Sequence, residues 1–162
     1  ANRAAGAGSI FSSTDNTLEI TGIQLEVGSQ ATPFEHRSFG EELALCERYY
    51  KKIQGTSGAL YRRFGKGSNY STTGAEVITY LPTEMRSFPS LGTTAAATYA
   101  VYHGSTVTAC SAVPSLNTSS DEGVGNSIII TCTVSSGLTV AQGATLLANN
   151  TADAYLEFIS EL

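Results

Sequence analysis

Residues 98–109 read TYAVYHGSTVTA, and this stretch decides the fold. Aromatic and β-branched side chains, the types that fit a pleated surface, run up to His103-Gly104 and resume after it. Glycine takes the positive φ of a tight hairpin turn at no steric cost. The stretch is therefore predicted as two antiparallel strands joined by a turn. Similar punctuation recurs every eight to twelve residues from Gly55 onward, the rhythm of a sandwich or barrel. Strands are expected at 58–64, 75–81, 86–91, 95–102, 105–113, 126–134 and 153–159, with weaker ones at 69–72 and 144–148. Turns are expected at Gly65-Lys66-Gly67, Gly74, Pro82, His103-Gly104, Asp121-Glu122-Gly123, Ser136-Gly137 and Asn149-Asn150. Ile128-Ile129-Ile130 is apolar without alternation, as in a strand covered on both faces. No helical period recurs after residue 53. The fold class is all-β: an antiparallel β-sandwich, jelly-roll-like.

Upstream of this region, Leu18 and Ile20 are apolar on even positions, and Ile23, Leu25 and Val27 on odd ones. A strand has a side-chain period of two, so one extra residue must enter near Thr21-Gly22. A bulge at Gly22 supplies it, and 17–27 is predicted as one bulged strand with Glu19, Gln24 and Glu26 outward. Pro33 forces an extended connection before it. Residues 28–40 form a linker, with Phe34 and Phe39 tucked against a neighbouring surface. Glu41 and Glu42 suit the positive N-terminal end of a helix, and Leu43 and Cys46 share a face by i,i+3 spacing. A short helix is expected near 40–47, followed by a strand through Arg48–Ile53. The expected organisation is an N-terminal strand segment at 1–27, the linker at 28–40, and a C-terminal β-sandwich domain at 41–162.

A chain of 162 residues is long enough to bury roughly 70% of its unfolded surface. Its charged fraction of 14% is low, and 19 Ser, 20 Thr, 19 Ala and 16 Gly stand in place of charge. Hydroxyls rather than ions then solvate the surface. The net charge of −5 opposes a nucleic-acid partner, which needs a basic field. No apolar run reaches the ~20 residues of a membrane-spanning helix, so no membrane insertion is expected. Cys46, Cys110 and Cys132 are odd in number and lack CxxC spacing, which fits neither a disulfide framework nor a zinc site. All three are expected as buried free thiols.

Motifs of catalysis are missing from the sequence. Gly55-Thr56-Ser57-Gly58 is one residue short of a nucleophile elbow. Phe64-Gly65-Lys66-Gly67-Ser68 lacks the Gly and the Ser/Thr that a phosphate loop needs around its lysine, and Gly123-Val124-Gly125 lacks a third glycine and a helix. His36 and His103 are the only histidines, and neither sits in a metal motif. Glu41-Glu42 serves the helix start, and Asp121-Glu122 a solvated turn. No enzyme, cofactor or metal is expected.

One resemblance goes further than composition. ITGIQLEVGSQATPFEHR at 20–37 and GEELALCERYYKK at 40–52 resemble the joint of bacteriophage tail-fibre and related virion-appendage proteins. There, a carbohydrate-binding-like β-sandwich hands over to a C-terminal domain. LPTEMRSFPSL at 81–91 and AYLEFISEL at 154–162 are weaker echoes of the same family. The resemblance implies a non-enzymatic virion protein, a homotrimer bound to other tail or capsid proteins. Its end domain would recognise bacterial surface polysaccharide, outside the host cell at attachment. A purely structural fibre component and a polysaccharide depolymerase are the alternatives.

Six of the nine basic residues, Arg48, Lys51, Lys52, Arg62, Arg63 and Lys66, fall within 19 positions. As a functional patch, Tyr61, Arg62, Arg63 and Lys66 would meet anionic glycan, and Tyr102 with His103 would join them from the hairpin tip. As structure, the same cations would pair with Glu41, Glu42 and Glu47 across a subunit interface.

Overall fold

The computed structural model describes residues 17, 19–30, 32–34, 36–56, 58–117 and 126–160. The turn expected at Asp121-Glu122-Gly123 lies outside them. The chain divides into two units, Ala1–Ser38 and Phe39–Leu162.

In the first unit the strand expected at 17–27 is not formed among the described residues. Gly22 does adopt the left-handed φ of +69° that a bulge uses, but no backbone ladder accompanies it. The alternation survives as a division of faces. Glu26 accepts hydrogen bonds from the Thr32 amide at 2.5 Å and the Thr32 hydroxyl at 2.6 Å, and these hold its carboxyl below the usual range. Gln24 donates to both Glu26 and Thr32. Ile23, Leu25 and Val27, on the other parity, are exposed, as is Phe34, whose ring meets His36 edge-on at 4.9 Å. A period of two marks which side chains share a face. It does not supply the partner strand that makes a ladder.

The second unit opens with helix α1, Phe39–Glu47, its first turn carrying Glu41 and Glu42 as expected. Ten strands follow: β1 Tyr50–Gln54, β2 Arg63–Asn69, β3 Gly74–Tyr80, β4 Ser90–Thr93, β5 Tyr99–His103, β6 Thr106–Ala109, β7 Ser115–Leu116, β8 Ser127–Thr133, β9 Gly143–Ala148 and β10 Tyr155–Ile159. A 3-10 turn at Ala96–Thr98 replaces the first half of the strand expected at 95–102. All strand pairs are antiparallel, in a seven-stranded sheet of order β6-β5-β9-β2-β3-β8-β7 and a three-stranded sheet of order β1-β10-β4. The chain leaving β6 bridges Cys110 to Val134 just past β8, and the Ser111 amide donates to the Thr133 carbonyl, so the large sheet curls back toward itself. The fold is all-β and sandwich-like, as the sequence implied.

The hairpin expected at 98–109 is β5–β6. His103 pairs with Thr106 across Gly104-Ser105, and Gly104 has a φ of +56°. A positive φ at the first central residue only is the II′ pattern, whose twist matches that of the strands.

Alternation sets the core. In β8, Ile128, Ile130 and Cys132 face inward against Thr79, Val77 and Ala75 of β3, and Ile129 lies half-buried on the outer face. Tyr99, Phe64, Val101 and Leu146 fill the interior. Leu156 and Phe158 of β10 close it from the small sheet, and burying each contributes about 2 kcal/mol. Buried Tyr99 keeps its hydroxyl satisfied, donating to the Tyr155 carbonyl and accepting from the Thr94 amide at 2.9 Å.

Five sequence expectations are corrected. Gly65-Lys66-Gly67 is the middle of β2 rather than a turn, and the expected strand at 58–64 shrinks to its last two residues. Of the weak strand at 69–72, Asn69 ends β2 and 70–72 belong to the β2–β3 connection. Phe39 belongs to α1 and is exposed, and Cys46 is exposed while Cys110 and Cys132 are buried. The glycines misled because their use here is close approach. A Cβ on Gly67 would lie 1.9 Å from the Glu76 carbonyl oxygen. That is a packing requirement, and local sequence rules register it only as a turn signal.

Candidate functional site

The seven-stranded sheet has an inner face on the core and an outer face, and strand register places Tyr102, Lys66 and Arg63 on the outer one. Tyr102 of β5 pairs with Thr145 of β9, Thr145 with Lys66 of β2, and Lys66 with Ile78 of β3. These four form a row across four adjacent strands. Two strand spacings separate Tyr102 from Lys66, about 10 Å. Arg63 pairs with Leu147, two residues from Thr145 along β9 and hence on the same face. The irregularity between Arg63 and Gly65 resets the alternation, so Arg63 and Lys66 both point outward although they are three residues apart.

Tyr61 and Arg62 lead into β2 and are exposed. Their segment is tied to the end of β9: the Ala148 amide donates to the Arg62 carbonyl at 2.8 Å, and the Thr151 amide to the Leu60 carbonyl at 3.0 Å. They border the platform at the Arg63 side. His103 is not brought to it. Its side chain faces inward at 7% exposure, with Nε2 2.9 Å from the Thr108 hydroxyl and Nδ1 3.4 Å from Gln142 Oε1. A ring so enclosed makes no surface contact, so His103 leaves the candidate set. It is the last residue of β5, and the following Gly104-Ser105 makes the turn.

The basic cluster divides in two. Lys51 is bound by Glu47 at 2.6 Å, and Lys52 by Glu157 at 3.2 Å, with its ammonium 3.9 Å from the centre of the Tyr155 ring. Tyr50 donates to the same Glu157 at 2.9 Å; that bond, then Lys52, holds the Glu157 carboxyl below its ordinary range, and the bond to Glu157 pushes the Tyr50 phenol up against the opposing pull of Lys52. These groups satisfy one another. Arg62, Arg63 and Lys66 make no ion pair among the described residues. Of the expected partners, Glu47 is taken by Lys51. These three cations, without an ion pair among the described residues, form with Tyr102 and Tyr61 a surface suited to anions. Arginine forks match carboxylate or phosphate, and a tyrosine face accepts the apolar side of a sugar ring.

Sequence reasoning missed Thr145, the centre of the row. Nothing in its spacing marks it, because a cross-strand neighbour 79 positions from Lys66 is set by sheet order alone. It also missed the Tyr50–Lys52–Tyr155–Glu157 group, which joins the two ends of the unit.

No metal-ligating group of three or more His, Cys, Asp or Glu side chains occurs among the described residues, and no helix there is long and apolar enough to cross a membrane. Compared with known proteins, the chain matches no family model, no curated protein sequence and no solved structure.

Proposed function

We propose that this chain is a non-enzymatic end domain of a bacteriophage tail fibre, assembled as a homotrimer with other virion proteins, that recognises an acidic glycan on the bacterial surface. The observation that carries the recognition is the Tyr102–Thr145–Lys66 row with Arg63 beside it. It offers an aromatic face, a hydroxyl and unpaired cations at sugar-sized spacing. The virion setting is supported by the resemblance at 20–37 and 40–52. Weak single sites gain avidity when three copies engage a repetitive polymer at once.

A depolymerase would need one carboxyl with a raised pKa as general acid. Glu157 is shifted the opposite way, by Tyr50 and Lys52, and does not offer such an acid. A structural spacer would leave the platform without a ligand. Binding of fluorescently labelled protein to a panel of encapsulated and lipopolysaccharide-bearing bacteria separates these readings. Salt-sensitive binding to at least one strain is expected. No binding across the panel favours the spacer, and loss of viscosity of the bound polysaccharide favours the depolymerase.

A further inference from the structure

Helix α1 is nine residues long and buries none of them. Isolated helices shorter than about 12–15 residues are marginal in water, and most helices in proteins are held by packing of an apolar face. Such a face exists on α1, but it is turned to solvent. Phe39, Leu43 and Cys46 follow at spacings of four and three, the d-a-d register of a coiled-coil seam. Phe39 is 81% exposed and Leu43 44%. The Tyr49 amide bonds to the Cys46 carbonyl and closes the helix, and Tyr50 then opens β1. Tyr50 pairs with Ile159, and the Ser87–Ser160 bonds place Phe88 nearby. Tyr50, Ile159 and Phe88 are each 39–47% exposed.

We infer that this surface, centred on the Phe39–Leu43–Cys46 stripe, is where copies of the chain associate, each stripe packing against the stripe of a neighbouring copy. Two arguments identify the occupant as a second copy. The exposed parts of these large side chains total roughly 500 Å² at about 200 Å² for a whole one. That is as much as the largest apolar patch of an ordinary monomer, and supplies the apolar centre of an interface of about 800 Å² per partner. In addition, Glu47 and Glu157 at the edge of the stripe are engaged in cis, by Lys51 and Lys52. A 4-3 apolar stripe is complementary to itself. The inference deepens the trimeric part of the proposed function and rests on it; the glycan platform is a separate surface.

Cys46 provides the test in the unaltered protein, because it lies on the stripe while Cys110 and Cys132 are buried. Sedimentation velocity of the 16.9 kDa chain is combined with a short bismaleimide cross-linker, followed by a denaturing gel. The expected results are a multimer, a covalent dimer band that Cys46→Ser abolishes, and dissociation to single chains on Leu43→Glu with the β-type circular dichroism kept. A multimer that gives no Cys46 cross-link and survives Leu43→Glu overturns this interface while leaving trimerisation intact. A wild-type monomer at high concentration overturns both. Should Leu43→Glu fail to fold, the cross-link in wild-type protein decides alone.

Discussion

Replacing Gly67 by alanine tests the tightest contact in the large sheet. Gly67 sits in mid-β2, paired to Val77 on one side and Ala144 on the other. An added Cβ would stand 1.9 Å from the Glu76 carbonyl oxygen and 2.8 Å from the Val77 Cα. Both are backbone atoms of β3, so no rotamer change relieves the clash and the strands must part. Overpacking of this kind costs about 1–3 kcal/mol, and weakening two ladder hydrogen bonds adds about 1 kcal/mol each. Alanine recovers less than about 1 kcal/mol by restricting the unfolded chain. The net loss is about 3 kcal/mol, or about 10 °C in melting temperature for a domain of this size. Gly143→Ala is the matched control. It begins β9, its Cβ would meet nothing within 4 Å, and its φ is not positive. Thermal unfolding followed by circular dichroism should place Gly67→Ala well below wild type and Gly143→Ala within about 2 °C of it. Equal melting temperatures for the two variants would refute the close-approach account of β2.

Three further outcomes are expected. Ellman's reagent on native protein should titrate no more than one thiol per chain, with Cys46→Ser removing it. Burial pushes Cys110 up to about 11 and Cys132 up as well, so reaction of two or three native thiols would contradict the core. Glu157 has a folded pKa below its ordinary 4.5; its contribution to stability is present above that pH and lost as pH falls through the folded value. The melting-temperature gap between wild type and Glu157→Gln should therefore narrow as pH drops below 4.5, and a gap that is constant or widens on acidification would count against the Tyr50–Glu157–Lys52 group. Asn69 is buried, donates to the Thr139 carbonyl at 3.0 Å, and holds the connection before β9 where Ala141 has a φ of +63°. Asn69→Leu should cost about 0.5–1.5 kcal/mol through loss of that hydrogen bond, the Thr139 carbonyl keeping the Gln142 amide at 3.2 Å, and an unchanged denaturant midpoint would refute the anchoring role.

The sequence made the elements legible where local chemistry and tertiary role agree. TYAVYHGSTVTA is a hairpin because Gly104 serves the turn, and SIIITCT is a strand because β-branched residues serve both faces. It misled where one residue type has two uses. Gly65 and Gly67 were read as a turn, but they let β2 lie against β3. The alternation at 23–27 was read as a strand, yet pairing requires a partner that period alone cannot supply. Of the candidate site, Arg63, Lys66 and Tyr102 were visible as residue types. Their meeting on one face depends on β9 lying between β5 and β2, a sheet order carried by no local pattern. His103 was misplaced for the converse reason: a tip position in sequence says nothing about which face its side chain takes.

The central claim is that the β5–β9–β2 face holds an acidic glycan, and binding of point variants to the polysaccharide of a bound strain tests it most directly. With the polysaccharide immobilised and the protein in solution, Tyr102→Ala and Lys66→Glu should each weaken affinity by about tenfold or more, equivalent to about 1.4 kcal/mol. Thr108→Val, on the inner side of the same sheet beside His103, should not. Affinities unchanged by both outer-face variants would contradict the claim.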